Sequence, residues 1–411
     1  NAHHTFKKFV PESKYKAEHP NWYYGTQICL TDAELKVEFK KNLKQMILDK
    51  PYAKIINISE EDFGASLGQC CQTCKDEVKK YGRSGYLIRF VNEIIVDTEK
   101  WLDDEGIDRE FQYTMFAYTS SMTIVPPVDE QADGTYKVKD ESCIPHEKLY
   151  VRLTPLDPVC YSHAFTDKSC PTANKIEGYV NGWLAITDKF FVWDYDCNYA
   201  NYYVFHNIYD ALQTNLQYYK SIGVKNIFRE STTGSTVRSF GALNGYITSK
   251  LMWDVDADMN ALMEDFFVNY YKDGAEYVKQ CFNLLRSHCH AMDMQNKNGF
   301  HFQCYGGVQA NDWPIGVLEQ AEALLEKAID CYGGLKTKNP ELYDTLYKRV
   351  LSELVCIRWT ILQNYESYYN IQSKAYDDMI DQFEIDAALV GATCYGESDD
   401  LSDWIATIRQ K

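Results

Sequence analysis

The sequence predicts an α/β protein, a (β/α)8 barrel of the TIM type followed by an all-α C-terminal region. Between about residue 27 and residue 257, short apolar runs alternate with segments whose apolar residues recur at helical spacing. Beyond residue 258 only the helical pattern continues. Strands that alternate with helices build a parallel sheet through βαβ crossovers. We therefore predict a barrel domain over residues 1–257 and a helical domain over residues 258–411.

Six apolar runs are predicted as strands of this sheet. They are Gln27–Leu30, Ala53–Ser59, Phe111–Tyr118, Leu149–Thr154, Phe190–Tyr195 and Val224–Glu230. Thr31, with Glu34 closing a capping box, is predicted to begin the helix after the first run. A closed barrel of this type needs eight strands. The sheet is therefore either open or preceded by two strands upstream of Asn1, and we favour the upstream strands.

Helical spacing predicts helices between these strands and five more in the C-terminal region. The barrel helices pass through Leu35–Ile47 and Leu87–Ile95, and then cover Asn174–Thr187, Ile208–Tyr219 and Ala242–Trp253. The C-terminal helices are Ala257–Tyr271, Ala275–Ser287, Ile315–Tyr332, Pro340–Tyr365 and Ser373–Leu389. Two long interruptions, Phe63–Gly82 and Pro126–His146, follow strand ends, where barrel enzymes build their sites.

Composition narrows the class of partner. The formal net charge of −17 repels phosphate backbones and anionic lipids, so we expect neither nucleic acid nor a membrane surface as a partner. No apolar run reaches the ~18 residues of a membrane span. Asn1 to Phe9 contain no apolar core of a signal peptide, so any targeting segment has been removed or lies upstream. The 32 tyrosines fit either ordinary packing or stacking on sugar rings.

Acidic residues stand at the carboxyl ends of several predicted strands. They are Glu60, Glu61, Asp62, Asp157, Asp194 and Glu230. In a parallel barrel these ends converge on one face. Glycoside hydrolysis needs two such groups, an acid that protonates the leaving oxygen and a carboxylate that stabilises or attacks the anomeric centre. The alternative is that these residues cap the following helices or lie solvated in loops.

Arg152, Asp157 and His163 lie within a few residues of one strand end, where they could bind sugar hydroxyls or orient a carboxylate. A structural ion pair or a loop hydrogen bond is the alternative. The pattern of a serine nucleophile elbow is absent, so a Ser-His-Asp hydrolase is not supported.

Among the 14 cysteines, Cys70, Cys71 and Cys74 cluster tightly. Zinc needs four ligands, so we expect a disulfide or a reduced loop cluster there. A group of cysteines and histidines further on is interpreted as loop packing or a Cys289–Cys304 disulfide. The acidic run Asp254–Asp258 departs from a calcium loop and is interpreted as a helix cap. Glycine-rich phosphate loops are also absent, and we predict no metal and no cofactor.

Several short motifs resemble a bacterial domain catalogued as domain of unknown function 4838 (DUF4838). They are His4-Thr5-Phe6, Glu18-His19-Pro20, Cys29-Leu30-Thr31, Ile58-Ser59 with Asp62, Gly85 to Asn92, Trp193-Asp194-Tyr195, Phe228 to Glu230 and Lys250 to Asp254. Their order and spacing agree over roughly residues 1–275. That domain is similar to the barrel of glycoside hydrolase family 163, whose characterised members are endo-β-N-acetylglucosaminidases. They cut the chitobiose core of complex N-glycans by a retaining, substrate-assisted route.

The resemblance implies an extracellular, cell-surface or periplasmic hydrolase of β-linked N-acetylglucosamine in host-type glycans. Glu61, Asp62 and Glu230 would be its carboxylates. Glu61 would protonate the leaving oxygen, Asp62 would hold the acetamido group and Glu230 would bind hydroxyls, or these roles are reversed. The implied substrate-binding residues are Tyr118, Trp193 and Tyr195 for stacking, and Arg152, Asp157, His163 and Asp194 for polar contacts.

Two other functions stay open, because a fold does not fix a function. A hydrolase of another glycosidic bond, such as a uronide, would be favoured by several basic residues near its acids, and here only Arg152 and Arg229 are close in sequence. A non-catalytic glycan-binding protein is the second, because Glu61 stands where the family usually has Asn and the strand count is incomplete.

Overall fold

The computed structural model describes residues 3–62, 65–156, 159–295 and 302–411, and the chain folds into two compact units. The first unit comprises Asn1–Asp157, Lys175–Asp194 and Tyr219–Arg229. The second comprises Pro158–Asn174, Tyr195–Tyr218 and Glu230–Lys411. Each unit therefore joins segments that are distant in sequence. The predicted domain boundary after residue 257 is a division along the chain and stays a prediction.

Five strands form the main sheet. In chain order the strands are β1 (Tyr23–Tyr24), β2 (Gln27–Ile28), β3 (Ile55–Asn57), β4 (Gln112–Tyr118), β5 (Val128–Glu130), β6 (Tyr136–Val138), β7 (Leu149–Thr154), β8 (Phe190–Tyr195), β9 (Asn226–Glu230), β10 (Cys394–Gly396) and β11 (Asp399–Asp400). The main sheet has the order β3-β4-β7-β8-β9 and is curled like half of a barrel. Its pairs β3/β4, β4/β7 and β7/β8 are parallel. The predicted α/β class is thus confirmed, whereas the described residues do not show a closed eight-stranded barrel.

One predicted sheet strand is wrong. The run Gln27–Leu30 contributes β2, which pairs antiparallel with β1 and stands outside the main sheet. Gly25, with a φ of +57°, lies in the two-residue connection between these strands. Glycine adopts this left-handed backbone conformation without strain, as short hairpin turns require. An apolar run predicts a buried strand but not its partner, and here the adjacent turn makes a local hairpin.

Helices occupy most of the segments where they were predicted. They are α1 (Phe6–Phe9), α2 (Glu12–Tyr15), α3 (Ala33–Asp49), α4 (Gln72–Asp104), α5 (Pro171–Leu184), α6 (Leu212–Ser221), α7 (Gly241–Trp253), α8 (Met259–Tyr271), α9 (Ala275–Gln295), α10 (Ile315–Asp330), α11 (Leu335–Lys338), α12 (Pro340–Gln363), α13 (Lys374–Val390) and α14 (Leu401–Ile408). In the second unit α12 packs against α10 and α13. Arg358 of α12 bonds Glu322 of α10 and Asp386 of α13, both at 2.7 Å.

The C-terminal region is not purely helical, contrary to the prediction. The strands β10 and β11 form an antiparallel hairpin between α13 and α14. Gly391, with a φ of +72°, ends α13 in the left-handed conformation that favours glycine. The two strands that follow are too short to produce a detectable alternation of apolar and polar residues.

Two helix starts also differ from the prediction. Asp32, not Thr31, caps α3, because its carboxylate accepts a hydrogen bond from the Leu35 N–H at 2.9 Å. Helix α4 begins inside the predicted interruption Phe63–Gly82, and its two halves meet at Gly82, whose φ of +75° is not helical. The polar first turns of α4 lack the apolar period that identifies its second half.

Candidate functional site

The acidic segment after β3 lies at the carboxyl edge of the main sheet. The Ile58 N–H donates to the Thr114 carbonyl of β4 at 2.8 Å, so the chain follows β4 beyond the end of β3. Side chains along an extended chain alternate between two faces. Ile56, Ile58 and Glu60 share the buried face. The alternation therefore carries one carboxyl group into the apolar interior.

Glu60 is a fully buried acid with 0% exposure. The Thr123 hydroxyl contacts Glu60 Oε1, lies 3.0 Å from the Phe116 carbonyl and accepts a hydrogen bond from the Tyr118 N–H at 3.1 Å. A hydroxyl has one proton to donate, so a protonated Glu60 that donates to Thr123 lets Thr123 donate to the carbonyl. Burial raises the pKa of Glu60 to about 7, although the Thr123 hydrogen bond opposes this rise. Both observations indicate a carboxyl group that holds its proton near neutral pH.

Glu61 is held by the N-terminal segment of the first unit. Its Oε1 accepts a hydrogen bond from the backbone N–H of Lys7, in the first turn of α1, at 2.7 Å. The Gln27 amide binds the backbone of Glu61 at both ends, by donating to its carbonyl at 2.7 Å and accepting from its N–H at 3.1 Å. The first N–H groups of a helix have no partner inside the helix. The Glu61 carboxylate therefore acts here as a helix cap.

Asp62 is the accessible acid of the three, with its side chain 50% exposed. The Tyr118 hydroxyl, at the end of β4, donates to Asp62 Oδ1 at 3.1 Å. The same oxygen lies 3.8 Å from Nε2 of His4. The other ring nitrogen of His4, Nδ1, lies 2.6 Å from the Glu60 carbonyl, which can only accept a hydrogen bond. Nδ1 therefore carries a hydrogen, and a neutral His4 presents an unprotonated nitrogen to Asp62.

Arg152 lies among aromatic rings beside this group. Its guanidinium is 5.3 Å from the ring centre of Phe116 and 5.8 Å from that of Trp193, and it donates to the Thr114 hydroxyl at 3.3 Å. Burial lowers the pKa of Arg152 to about 10. Among the described residues, no carboxylate lies within ion-pair distance of it. Trp193 is only 8% exposed and packs edge-on against His3, at 4.3 Å between ring centres.

Asp194 and Arg229 join neighbouring strands of the sheet. Asp194 Oδ2 of β8 lies 3.4 Å from Arg229 Nε of β9, and both side chains are at most 5% exposed. Breaking a buried charge pair leaves an uncompensated charge, which is costly. This contact gives Asp194, predicted to bind hydroxyls, a role in holding the sheet together.

The family can now be assigned. A family model described as a domain of unknown function, DUF4838, matches residues 1–283. The chain belongs to the DUF4838 family. A search of curated proteins found no match. Within the described parts of this DUF4838 protein, no helix combines the length and apolar character that crossing a membrane requires.

Within the first unit, the structure of this DUF4838 protein brings several predicted site residues together. Asp62 and Tyr118 bond directly, and Arg152 and Trp193 are neighbours. Tyr195, Glu230 and His163 belong to the second unit. Tyr195 is buried and packs edge-on against Tyr199, at 5.9 Å between ring centres, and Glu230 ends β9. Asp157 lies outside the described residues.

His163 has a partner at each ring nitrogen. Nδ1 lies 2.7 Å from Asp167 and Nε2 lies 2.7 Å from Asp293, all within the second unit. Burial lowers the pKa of His163, but the hydrogen bonds with these two carboxylates outweigh burial and raise it. The arrangement is that of a histidinium held between two anions, and both of its nitrogens are already engaged.

The sequence predictions missed two features of the first unit, the complete burial of Glu60 and the contact of Cys29 with the other cysteines. Glu60 was counted among the acidic strand ends, yet its alternation with Ile56 and Ile58 already signalled a buried side chain. Cys29 joins Cys71 and Cys74 in one thiol cluster. Because 45 residues separate Cys29 from Cys74, local spacing could not reveal this contact.

Proposed function

We propose that this DUF4838 protein is a glycoside hydrolase that cleaves β-linked N-acetylglucosamine in host-type glycans. The proposal includes retention of configuration and assistance by the 2-acetamido group of the sugar. The observation that carries it is the Asp62 carboxylate, accessible and bonded to the Tyr118 hydroxyl at the carboxyl edge of a parallel sheet. Barrel enzymes build their active sites from this edge. The similarity of the family to glycoside hydrolase family 163 supports the choice of sugar.

Asp62 suits the role of the group that polarises the acetamido nitrogen. In the substrate-assisted route the acetamido oxygen attacks the anomeric carbon, and a carboxylate near the acetamido N–H favours the positive charge that develops there. An exposed carboxylate oriented by a phenol meets this need. The Tyr118 hydroxyl engages Oδ1, and the other carboxylate oxygen, Oδ2, would contact the substrate.

The acid that protonates the leaving oxygen is proposed to be Glu61 or Glu230. Glu60 has the raised pKa that a general acid needs, but its complete burial keeps it from a substrate. Glu61 would serve after its carboxyl group exchanged the Lys7 N–H for the leaving oxygen. Replacing each by Gln and assaying substrates with good and poor leaving groups separates the two. Loss of the acid slows cleavage of poor leaving groups far more than that of good ones.

A second candidate function is hydrolysis of a sugar that carries an anionic group, such as a uronide. The observation that favours it is the Arg152 guanidinium, desolvated and without an ion-pair partner among the described residues. Arginine pairs with planar carboxylates through two parallel hydrogen bonds. A panel of aryl glycosides decides between the two. Preference for a glucuronide that is lost in Arg152→Gln would favour this function over the first.

The test of the proposed function is mass spectrometry of glycans released from a complex-type N-glycoprotein by the full-length protein. We expect released glycans that end in a single reducing N-acetylglucosamine. Absence of any released or shortened glycan, with the protein folded and bound to the glycoprotein, would favour a non-catalytic glycan-binding protein instead.

A further inference from the structure

Three cysteines of the first unit meet where the turn after β2 reaches the start of α4. The Sγ atoms of Cys29, Cys71 and Cys74 lie 3.8 Å (29–71), 3.4 Å (29–74) and 3.4 Å (71–74) apart. Cys70 directly precedes Cys71 in the chain, which brings a fourth thiol next to this group. All four are free thiols. Cys29 and Cys74 are buried, so the cluster is closed toward the interior.

The separations match a metal-centred tetrahedron. Zinc binds thiolate at about 2.3 Å, so two sulfur ligands of a tetrahedral zinc lie about 3.8 Å apart. The three measured separations lie at this value or a few tenths of an ångström below it. A disulfide needs sulfurs about 2.0 Å apart and joins only two of them. Three sulfurs that all lie 3.4–3.8 Å from one another fit a shared ligand, whereas a disulfide would draw only one pair together.

Hydrogen bonds around the cluster support thiolates. The Tyr86 hydroxyl donates to Cys74 Sγ at 3.0 Å and accepts a hydrogen bond from the Leu30 N–H at 3.1 Å. The Cys74 N–H donates to Cys71 Sγ at 3.5 Å, because Cys71 caps the start of α4. Such partners orient metal ligands and stabilise their negative charge.

We propose that Cys29, Cys70, Cys71 and Cys74 bind one zinc ion as a structural site. Four thiolates leave no open coordination position, so the ion does not take part in catalysis. The site clamps the turn after β2 to the start of α4. This proposal does not depend on the proposed function, and either can fail without the other.

A second thiol group provides an internal control. Cys160 and Cys170 lie with His163 in the second unit, and their ligand atoms are also within 4.8 Å of one another. Both ring nitrogens of His163 are engaged by Asp167 and Asp293, so a metal there would have to displace a carboxylate. We therefore expect this group not to retain zinc.

The test uses the full chain, purified under reducing conditions and without chelator. Its zinc content is measured by elemental mass spectrometry. We expect about one zinc per chain, as a four-cysteine site requires. The double variants Cys29→Ser/Cys74→Ser and Cys160→Ser/Cys170→Ser are the matched pair. The first should lose the ion and the second should keep it. Cobalt(II) added to the metal-depleted wild type should give the intense visible absorption of tetrahedral thiolate coordination.

Three results would overturn the proposal. One is a folded, reduced wild type that retains no zinc and gives no thiolate–cobalt spectrum. Another is full zinc retention by Cys29→Ser/Cys74→Ser, or its loss only in Cys160→Ser/Cys170→Ser. The third is a disulfide between any two of the four cysteines in protein purified without added reductant, found by alkylation before any reduction. Because the cobalt spectrum uses the wild type, the test still decides if the first variant fails to fold.

Discussion

The Tyr118 hydroxyl donates a 3.1 Å hydrogen bond to Oδ1 of Asp62, across the carboxyl edge of the sheet from β4 to the segment after β3. This bond leaves the Asp62 carboxylate half exposed and orients it. If Asp62 is the catalytic carboxylate that we propose, Tyr118 contributes by orienting it through this hydroxyl, and the hydroxyl is the group to remove.

Tyr118→Phe removes this hydroxyl and keeps the ring. We expect kcat/KM on the glycan substrate to fall ~10-fold or more, because a hydrogen bond to a charged group contributes ~1.5–3 kcal/mol. Tyr113→Phe is the matched control, since Tyr113 lies on the same strand and donates to Glu99 at 2.7 Å. Equal losses of activity in both variants would assign the effect to the strand and not to Asp62.

Glu60→Gln should change how stability depends on pH. The folded-state pKa of about 7 lies above the unfolded value of 4.5, so the stability that protonated Glu60 provides is complete below about pH 4.5 and lost as pH rises through 7. Gln keeps the neutral form at all pH values. We expect the variant to match the wild type at pH 4.5 and to exceed its unfolding free energy by ~3 kcal/mol at pH 8.

Urea unfolding at the two pH values measures this difference. Glu105→Gln, at an exposed position beyond α4, is the control and should follow the wild type at both. An unchanged difference between wild type and Glu60→Gln from pH 4.5 to pH 8 would contradict a raised pKa for Glu60.

Arg152→Met should separate activity from stability. Arg152 has lost water without gaining an ion pair among the described residues, so a neutral side chain of similar length should leave the unfolding free energy equal or higher. Activity should fall ~10- to 100-fold if the guanidinium binds substrate. Arg358→Met is the contrasting variant. It breaks contacts with Glu322 and Asp386 and should destabilise the protein by ~3–5 kcal/mol. A comparable destabilisation by Arg152→Met would make Arg152 structural.

Apolar runs in the sequence predicted the position of individual strands well. Leu149–Thr154 and Phe190–Tyr195 are strands with the predicted bounds, because each is a buried apolar run with polar flanks. Gln27–Leu30 has the same character but pairs across Gly25 into a hairpin. A periodic pattern identifies a strand, whereas its partner depends on the turn and on tertiary contacts.

In the candidate site, too, some features follow from the local sequence and others depend on tertiary contacts. That acids crowd the end of β3 follows from the sequence, and the period of two points Glu60 inward. The orientation of Glu61 depends on the Lys7 N–H, 54 residues away in the chain. The neighbours of Asp62 likewise come from a distant strand and from the N-terminal segment. Residue spacing does not predict these contacts. The different environments of the three adjacent acids therefore become visible only in the structure.

The most direct measurement of the central claim is the rate of glycan release by Asp62→Asn, with the exposed Asp103→Asn as its matched control. The amide keeps the size of the side chain and removes the charge that would support the acetamido group. We expect Asp62→Asn to lower kcat by ~1000-fold or more while Asp103→Asn keeps the wild-type rate. Release by Asp62→Asn at a rate within about twofold of the wild type, in a folded protein, would contradict the assignment of Asp62 to catalysis.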